Sequence, residues 1–524
     1  MIVTERGPRG RWPQLTIVSG RHGFAKCRPE IHAACSASRG VCGALDVYPT
    51  AIMCGRRLGE VGPFGQSALH EWWGSLMRHT LWLSENPPLA LDPAGNDEFA
   101  GGSLQEANIM SAQPRWQADT QSGCAGGEPV SAPIDDTLTG PGAFIPFARP
   151  DITEAEIGAV VETMRSGWLT TGPNAAAFEE EFSSFLGEGL HSVAVNSATA
   201  GLHLAVEALG IGAGDEVLVP TWTFTSTAEV VRYVGARPVM VDVEPDTLNI
   251  DFDAAKKAVT SRTKAIIPVH FAGLPVPRGR LADFASAHGL KVIEDAAHAF
   301  PVRDGGRLVG DSESDAVVFS FYATKTITTG EGGMLVTRRP DIARRARTMR
   351  LHGISRDVFD RYASTAPNWH YEVIAPGFKY NLTDTAAAMG RVQLRRATDM
   401  AAARRRIAER YNVGLAGLPL TLPAGPSEWS GHAWHVYAIR LTDESRLSRD
   451  EFVEAMAVAG IGTSVHFIPL HLHPYWRDTY RLRPEDFPVA TDAFCRTASL
   501  PAFSAMTDQQ VDRVIDVVRT ALGA

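Results

Sequence analysis

KVIEDAAHAF (291–300) and AVVFSFYATKTITTGEGG (316–333) decide how this chain is read. Each opens as a short, β-branched, near-continuous apolar run, as expected of a strand covered on both faces. The first run stops at Glu294-Asp295 and continues into Ala296-Ala297-His298. The second carries Ser320 and passes through Phe321-Tyr322-Ala323-Thr324 to Lys325. In open α/β sheets, ligands sit at the carboxyl ends of strands. Asp295 and Lys325 therefore stand where chemistry is expected. Taken singly, each also has a plain reading, as a turn carboxylate or a solvated lysine.

Similar runs occur at SVAVN (192–196), EVLVP (216–220), PVMVDV (238–243), AIIPVH (265–270) and MLVT (334–337). Segments of helical length alternate with the early ones, such as 198–209 and 225–234. Alternating strand and helix predicts an α/β fold, with a large domain built on a mainly parallel seven-stranded sheet. Thr153-Glu154-Ala155-Glu156 is a capping box that opens the patterned region. Past residue 390 the pattern changes. Helical stretches at 385–396 and 400–415 lead to strands at 435–441 and near 462–467, with helices near 448–459 and 508–522. This predicts a smaller C-terminal α+β domain. The expected division is a leader at 1–143, a large domain at 144–390 and a small domain at 391–524.

The leader differs in kind. Of 524 residues and six cysteines, it holds Cys27, Cys35, Cys42, Cys54 and Cys124, and only Cys495 lies beyond it. No Cys-x-x-Cys pair occurs, so zinc-knuckle spacing is missing. The Gly/Ser/Pro-rich stretch 94–142 lacks periodicity and reads as disordered. One amphipathic helix is expected at 69–83, and Met110 is a candidate start. The leader is expected to form no compact domain. With 44% hydrophobic and 21% charged residues, the whole chain is neither a rod nor wholly disordered. A net charge of -9 argues against nucleic acid as a main partner. The chain has no apolar window long enough to span a membrane and no apolar signal region, so a cytoplasmic location is expected.

The chemistry is read at the strand exits. Asn196-Ser197-Ala198-Thr199 opens a helix with small and hydroxyl residues, a pattern suited to a phosphate but also to an ordinary N-cap. Lysine is scarce, at 7 against 43 arginines. A guanidinium stays protonated and forms no imine, whereas an amine can. A phosphate-type helix start, an aromatic loop, Asp295 at a strand end and Lys325 downstream together make the constellation of a pyridoxal phosphate site.

WLTTGP (168–173), NSATAGLHLA (196–205), GAGDEVLVPTWTFTSTA (212–228), VIEDAAHA (292–299), FSFYATKTITTGEGG (319–333) and GFKYNLTD (377–384) resemble the DegT/DnrJ/StrS-type sugar aminotransferases. These are pyridoxal phosphate enzymes of fold type I. The resemblance covers about 145–518. APGFKYNLTD (375–384) and HAWH (432–435) resemble most the branch that aminates UDP-linked 4-keto sugars, of the 4-amino-4-deoxy-arabinose type. The resemblance implies roles residue by residue. Lys325 is the lysine that bonds the cofactor, and Asp295 pairs with its ring nitrogen. His298 lies near the ring hydroxyl and Phe224 stacks on the ring. Ala198, Thr199 and Ser320 contact the phosphate. Asn381 reaches the phosphate from the other subunit of a homodimer. A nucleotide-sugar substrate and a glutamate donor are implied as well. In related dehydratases a histidine replaces the lysine, and here Lys325 stands at that position.

Other patterns receive plain readings. Gly210-Ile211-Gly212-Ala213-Gly214 precedes a strand, so it is a helix-to-strand turn and not a dinucleotide fingerprint. His471-Leu472-His473 would share one side of a strand. With His466, it suggests substrate contact more than a metal site. Arg404-Arg405-Arg406 reads as the solvated face of a helix. The segment after His270, GLPVPRGRLADF, departs from the family in being basic, and is expected to lie away from the site.

Overall fold

The computed structural model describes residues 2–4, 15–17, 143–355, 370–425 and 431–523. The chain divides into two units, Met1–Trp116 and Gln117–Ala524. In the first, Ile2–Thr4 pairs antiparallel with Leu15–Ile17. The readings of the leader as non-compact, of a helix at 69–83, of disorder at 94–142 and of Met110 as a start lie outside the described residues, as do its five cysteines.

The second unit is built on a seven-stranded sheet. Its strands are β1 (His191–Val195), β2 (Glu216–Pro220), β3 (Arg237–Val241), β4 (Thr263–Ile266), β5 (Lys291–Asp295), β6 (Ala316–Ser320) and β7 (Gly333–Thr337). Their order is β1-β7-β6-β5-β4-β2-β3. Six strands run parallel and β7 runs against its neighbours β6 and β1. The exception has a local cause. Residues 321–332 between β6 and β7 hold no helix, and a parallel return would need a crossover, usually helical.

Successive side chains on a strand face opposite ways. Accordingly Val193, Val195, Val318 and Leu335 join one core, while Ala194, Val317, Phe319, Met334 and Val336 join another. Both faces are apolar because both are covered. Helix α1 (Glu154–Ser166) opens on the capping box of Thr153 and Glu156. Helix α2 (Pro173–Leu186) brings Phe178 and Phe182 to the second face. Helix α3 (Ala198–Ala208) covers the first. There Gly201 is required, since a Cβ would stand 2.7 Å from Val318 Cγ1. The Gly210–Gly214 stretch is the turn from α3 into β2, as the pattern predicts. Helix α4 (Ser226–Tyr233) follows β2.

The helical stretches read at 385–396 and 400–415 are one helix, α5 (Asp384–Gly414). The residues between, Ala397-Thr398-Asp399, include no proline or glycine to break it. Asp384 at its start also accepts the amides of Gly172 (2.8 Å) and Ala175 (2.9 Å), and so caps α2 from outside.

The C-terminal part forms a three-stranded antiparallel sheet of β8 (Leu420–Thr421), β9 (Tyr437–Leu441) and β10 (Thr497–Leu500), with its own apolar core. The strand expected near 462–467 does not form. Ile461 and Ser464 make single bridges to Ile145 and Ser499, and β10 takes the place beside β9. The backbone of Ile145 pairs with Gly460 and Gly462 while Ser464 pairs with Ser499, so the segment is divided between two partners with a single bridge to each. Helices α6 (Arg449–Val458) and α7 (Asp508–Ala521) complete this part. No helix among the described residues is long and apolar enough to cross a membrane.

Candidate active site

Sheet register assembles the first part of the site. Ser320, the last residue of β6, lies opposite Gly333 on β7, and Gly333 lies opposite Val195, the last residue of β1. Ser320 is thereby set beside the β1 exit, where Ser197 caps α3 by accepting the amide of Ala200 (3.1 Å). The cap reading holds for Ser197. It leaves the first-turn amides of Ala198 and Thr199, which have no acceptor within the helix. A Cβ at Gly333 would fall 2.8 Å from the Ala198 nitrogen, so the glycine lets this helix start press onto the sheet. The result is a small anion cradle that sequence pointed to.

Asp295 ends β5 and is buried. Its Oδ2 accepts from Thr227 Oγ1 (2.8 Å) and its Oδ1 from the Ala297 amide (3.1 Å). Desolvation pushes its carboxyl above the usual range. These hydrogen bonds and the charges of Lys325 and His270 oppose the rise.

Lys325 follows β6 through a tight turn, its amide donating to Tyr322 O (2.9 Å). Its Nζ stands 3.2 Å from His435 Nε2. Burial pulls the amine down to about 7, aided by the Arg404 guanidinium and opposed by Asp295.

The imidazoles of His298 and His435 lie with ring centroids 4.4 Å apart, and Phe467 stacks on His298 at 5.6 Å. Burial holds both histidines well below their usual range, so both are neutral. His466 closes the group, its Nδ1 3.1 Å from Ser499 Oγ. Phe224, 59% exposed, stands at the rim 6.3 Å from Phe467.

Asn381 is placed differently. Its backbone bridges Val195 at the β1 exit, but its side chain donates to Thr171 Oγ1 (2.7 Å) and accepts from Lys379 Nζ (2.7 Å). Within one chain these side-chain hydrogen bonds go to Thr171 and Lys379 and not to the Lys325 cluster.

Three readings need correction. Arg404 is not on a solvated face. It is 3% exposed and donates to the carbonyls of Thr324, Trp434, His435 and Ala502, while Arg405 and Arg406 are the exposed members of the run. Consecutive helical residues point about 100° apart, so a run cannot share one face. His471 and His473 flank Leu472 on a 3-10 turn, not a strand. His471 is buried between Thr221 (2.8 Å) and Thr491 (3.0 Å), where it ties loops together. The segment after His270 is not remote either. Phe271 lies against His298, and a Cβ at Gly273 would meet His298 O at 2.9 Å.

Sequence reading overlooked Thr227, His435 and Arg404 as site residues. Thr227 had a signal, since it lies in the aromatic loop already singled out. His435 and Arg404 had none beyond HAWH, because their places depend on C-terminal packing.

The residues fit pyridoxal phosphate. The α3 start offers amides to a phosphate. The buried carboxylate of Asp295 has one hydroxyl and one amide as donors and gains from a cationic ring nitrogen. Among the described residues, the buried His298 Nδ1 has no partner, which leaves a polar atom for the ring substituents. Lys325 supplies the amine.

The profile of the DegT/DnrJ/EryC1/StrS aminotransferase family matches residues 150–519. The spore coat polysaccharide biosynthesis protein SpsC of Bacillus subtilis (strain 168) is 44% identical over 378 residues, 72% of this chain and 96% of SpsC. The putative sugar aminotransferase Spr1654 from Streptococcus pneumoniae, in its PLP form, superposes with a TM-score of 0.67 at 34% identity, over 72% of this chain and 98% of that one. DesI, solved in the presence of its TDP-sugar product, gives a TM-score of 0.63 at 31% identity, over 73% of this chain and 93% of that one.

Proposed function

The chain belongs to the DegT/DnrJ/EryC1/StrS aminotransferase family, and on that premise we propose that it aminates a nucleotide-linked keto sugar with glutamate as donor. Its cofactor is pyridoxal phosphate and its fold is type I. The substrate we propose is a UDP- or dTDP-linked 4-keto sugar. Two things support this choice: the GFKYNLTD and HAWH motifs, and a relative crystallised with a TDP-sugar product. The likeness to a spore coat polysaccharide protein supports a place in amino-sugar polymer synthesis.

One observation carries the proposal. A lysine amine drawn down to about 7 stands in a pocket of neutral histidines, beside a buried carboxylate. When bound, the cofactor supplies an electron sink for the carbon next to the transferred nitrogen. The chain's own residues do the rest. The α3 amides at Ala198 and Thr199, with Ser320, would hold the phosphate. Asp295, whose ionised form the Thr227 hydroxyl favours, would hold the ring nitrogen protonated. Phe224 and His298 would hold the ring. Lys325 Nζ would hold the cofactor in the resting protein and, once displaced by the donor amine, would as a free amine take the proton from the donor carbon and return it on the other side of the reaction. An amine near neutrality can both accept and release that proton. We propose further that the protein acts as a homodimer, with Asn381 completing the partner's site. The large and small domains would be 144–390 and 391–524.

A dehydratase reading is disfavoured by Lys325, and a non-catalytic binding role by Lys325 together with Asp295. The test is purified protein with glutamate and a panel of UDP- and dTDP-linked keto sugars, followed by mass spectrometry. The expected product carries one amino group in place of the keto oxygen. The visible absorbance should be bleached by glutamate and restored by an oxo acid. Lys325→Ala should abolish both. Near wild-type turnover by that variant, or a colourless wild type, would end this reading.

A further inference from the structure

Arg404 lies midway along a long helix but is buried to 3% exposure. Burying a guanidinium is costly unless its donors are met. Here the Nη hydrogen bonds go to main-chain carbonyls, while Nε has no partner among the described residues. Nη2 donates to Thr324 O at 3.4 Å, and Nη1 donates to His435 O at 3.3 Å, to Trp434 O at 3.4 Å and to Ala502 O. Thr324 precedes Lys325, and His435 is the residue whose ring meets Lys325 Nζ. One side chain therefore grips both partners of that contact. Lys325 comes from the loop after β6 and His435 from the approach to β9, so nothing in the local chain ties them.

A functional imidazole is usually oriented through its second ring nitrogen. Among the described residues, His435 Nδ1 has no hydrogen-bond partner. The ring is placed by its packing on His298 and by its main chain, whose amide donates to Ala272 O (3.0 Å) and whose carbonyl Arg404 holds. The groups facing Lys325 Nζ are Asp295, His298, His435, His466 and Arg404. Of these, Arg404 alone spans both segments.

We propose that Arg404 is a positioning residue, whose forked guanidinium fixes the His435 ring against the Lys325 amine. A lysine would keep the charge but lacks the planar fork needed to span both carbonyls. The proposal rests on Lys325 being the reactive amine.

The experiment uses the cofactor-loaded protein with Arg404→Lys, Arg404→Met and the exposed neighbour Arg405→Lys as control, each also in a His435→Ala background. Two quantities are read: the single-turnover rate of bleaching by the amino donor, and the pH midpoint of the visible absorbance of the resting protein. Arg404→Lys should slow bleaching about ten- to hundredfold and move the midpoint, with cofactor still bound. Both effects should vanish in the His435→Ala background, and Arg405→Lys should match the wild type. Wild-type rate and midpoint in Arg404→Lys, or equal losses with and without His435, would overturn the proposal. If Arg404→Met fails to fold, Arg404→Lys still decides. Turnover by Lys325→Ala would instead sink the underlying assignment. An inactive Lys325→Ala beside a silent Arg404→Lys would sink this inference alone.

Discussion

Thr227 Oγ1 donates to Asp295 Oδ2 over 2.8 Å, and so its single proton is committed to the carboxylate. The hydroxyl of Thr223, 2.8 Å away, then donates to Thr227. This two-step chain favours the ionised form of a carboxyl that burial pushes the other way.

Asp295→Asn keeps the shape of that side chain and removes its charge. Cofactor affinity should fall by about 3–5 kcal/mol, the scale for losing one partner of a buried charge pair. Turnover should fall with it, while the folded state is retained. Absorbance titration of the cofactor-free variant with pyridoxal phosphate measures this. Wild-type affinity would show that the carboxylate does not face the ring nitrogen.

The Lys325 amine is held at about 7, so below that pH it is protonated and unreactive, and above it neutral. In the cofactor-free protein, labelling of Lys325 by an amine-directed reagent should rise with a midpoint near 7, read by peptide mass spectrometry. Because the Asp295 charge raises this value, Asp295→Asn should move the midpoint lower. A midpoint near 10 would mean that the amine is solvated.

Gly333→Ala places a methyl 2.8 Å from the Ala198 nitrogen and the Ser197 carbonyl carbon, and 2.9 Å from Phe319 O. These are backbone atoms, which cannot swing away. The variant should lose about 1–3 kcal/mol in urea unfolding. It should also bind the cofactor more weakly, because the α3 start shifts. Unchanged stability and affinity would mean that the helix start is not pressed against β7.

Mixed dimers test whether sites are shared. Lys325→Ala and Asn381→Ala proteins are each prepared, mixed, unfolded together and refolded. If each site takes Lys325 from one subunit and Asn381 from the other, hybrid dimers contain one intact site and activity returns. If both residues serve the same subunit, every site stays defective and the mixture remains inactive.

Much of this was legible along the chain. β5, β6 and the α3 start are local features, and their strand-end residues could be found by reading runs and exits. The parallel sheet followed from strand and helix alternation, with β7 as the exception that a short return imposes. The C-terminal part was less legible. The segment near 462–467 read as a strand, but a pairing partner is supplied from elsewhere, and Ile145 and Ser499 gave this stretch only single bridges.

The sequence by itself pointed to the residues proposed to carry the chemistry: Lys325 among so few lysines, Asp295 at a strand end, and small residues opening α3. These depend on neighbours a few positions away, whose geometry the backbone periodicities enforce. Only the tertiary structure decided what surrounds them. His435 is 110 residues from Lys325 in the chain, and Arg404 is one of three consecutive arginines that differ only in the face each presents. Which face is buried is settled by the packing of a distant sheet, and no local pattern contains that information.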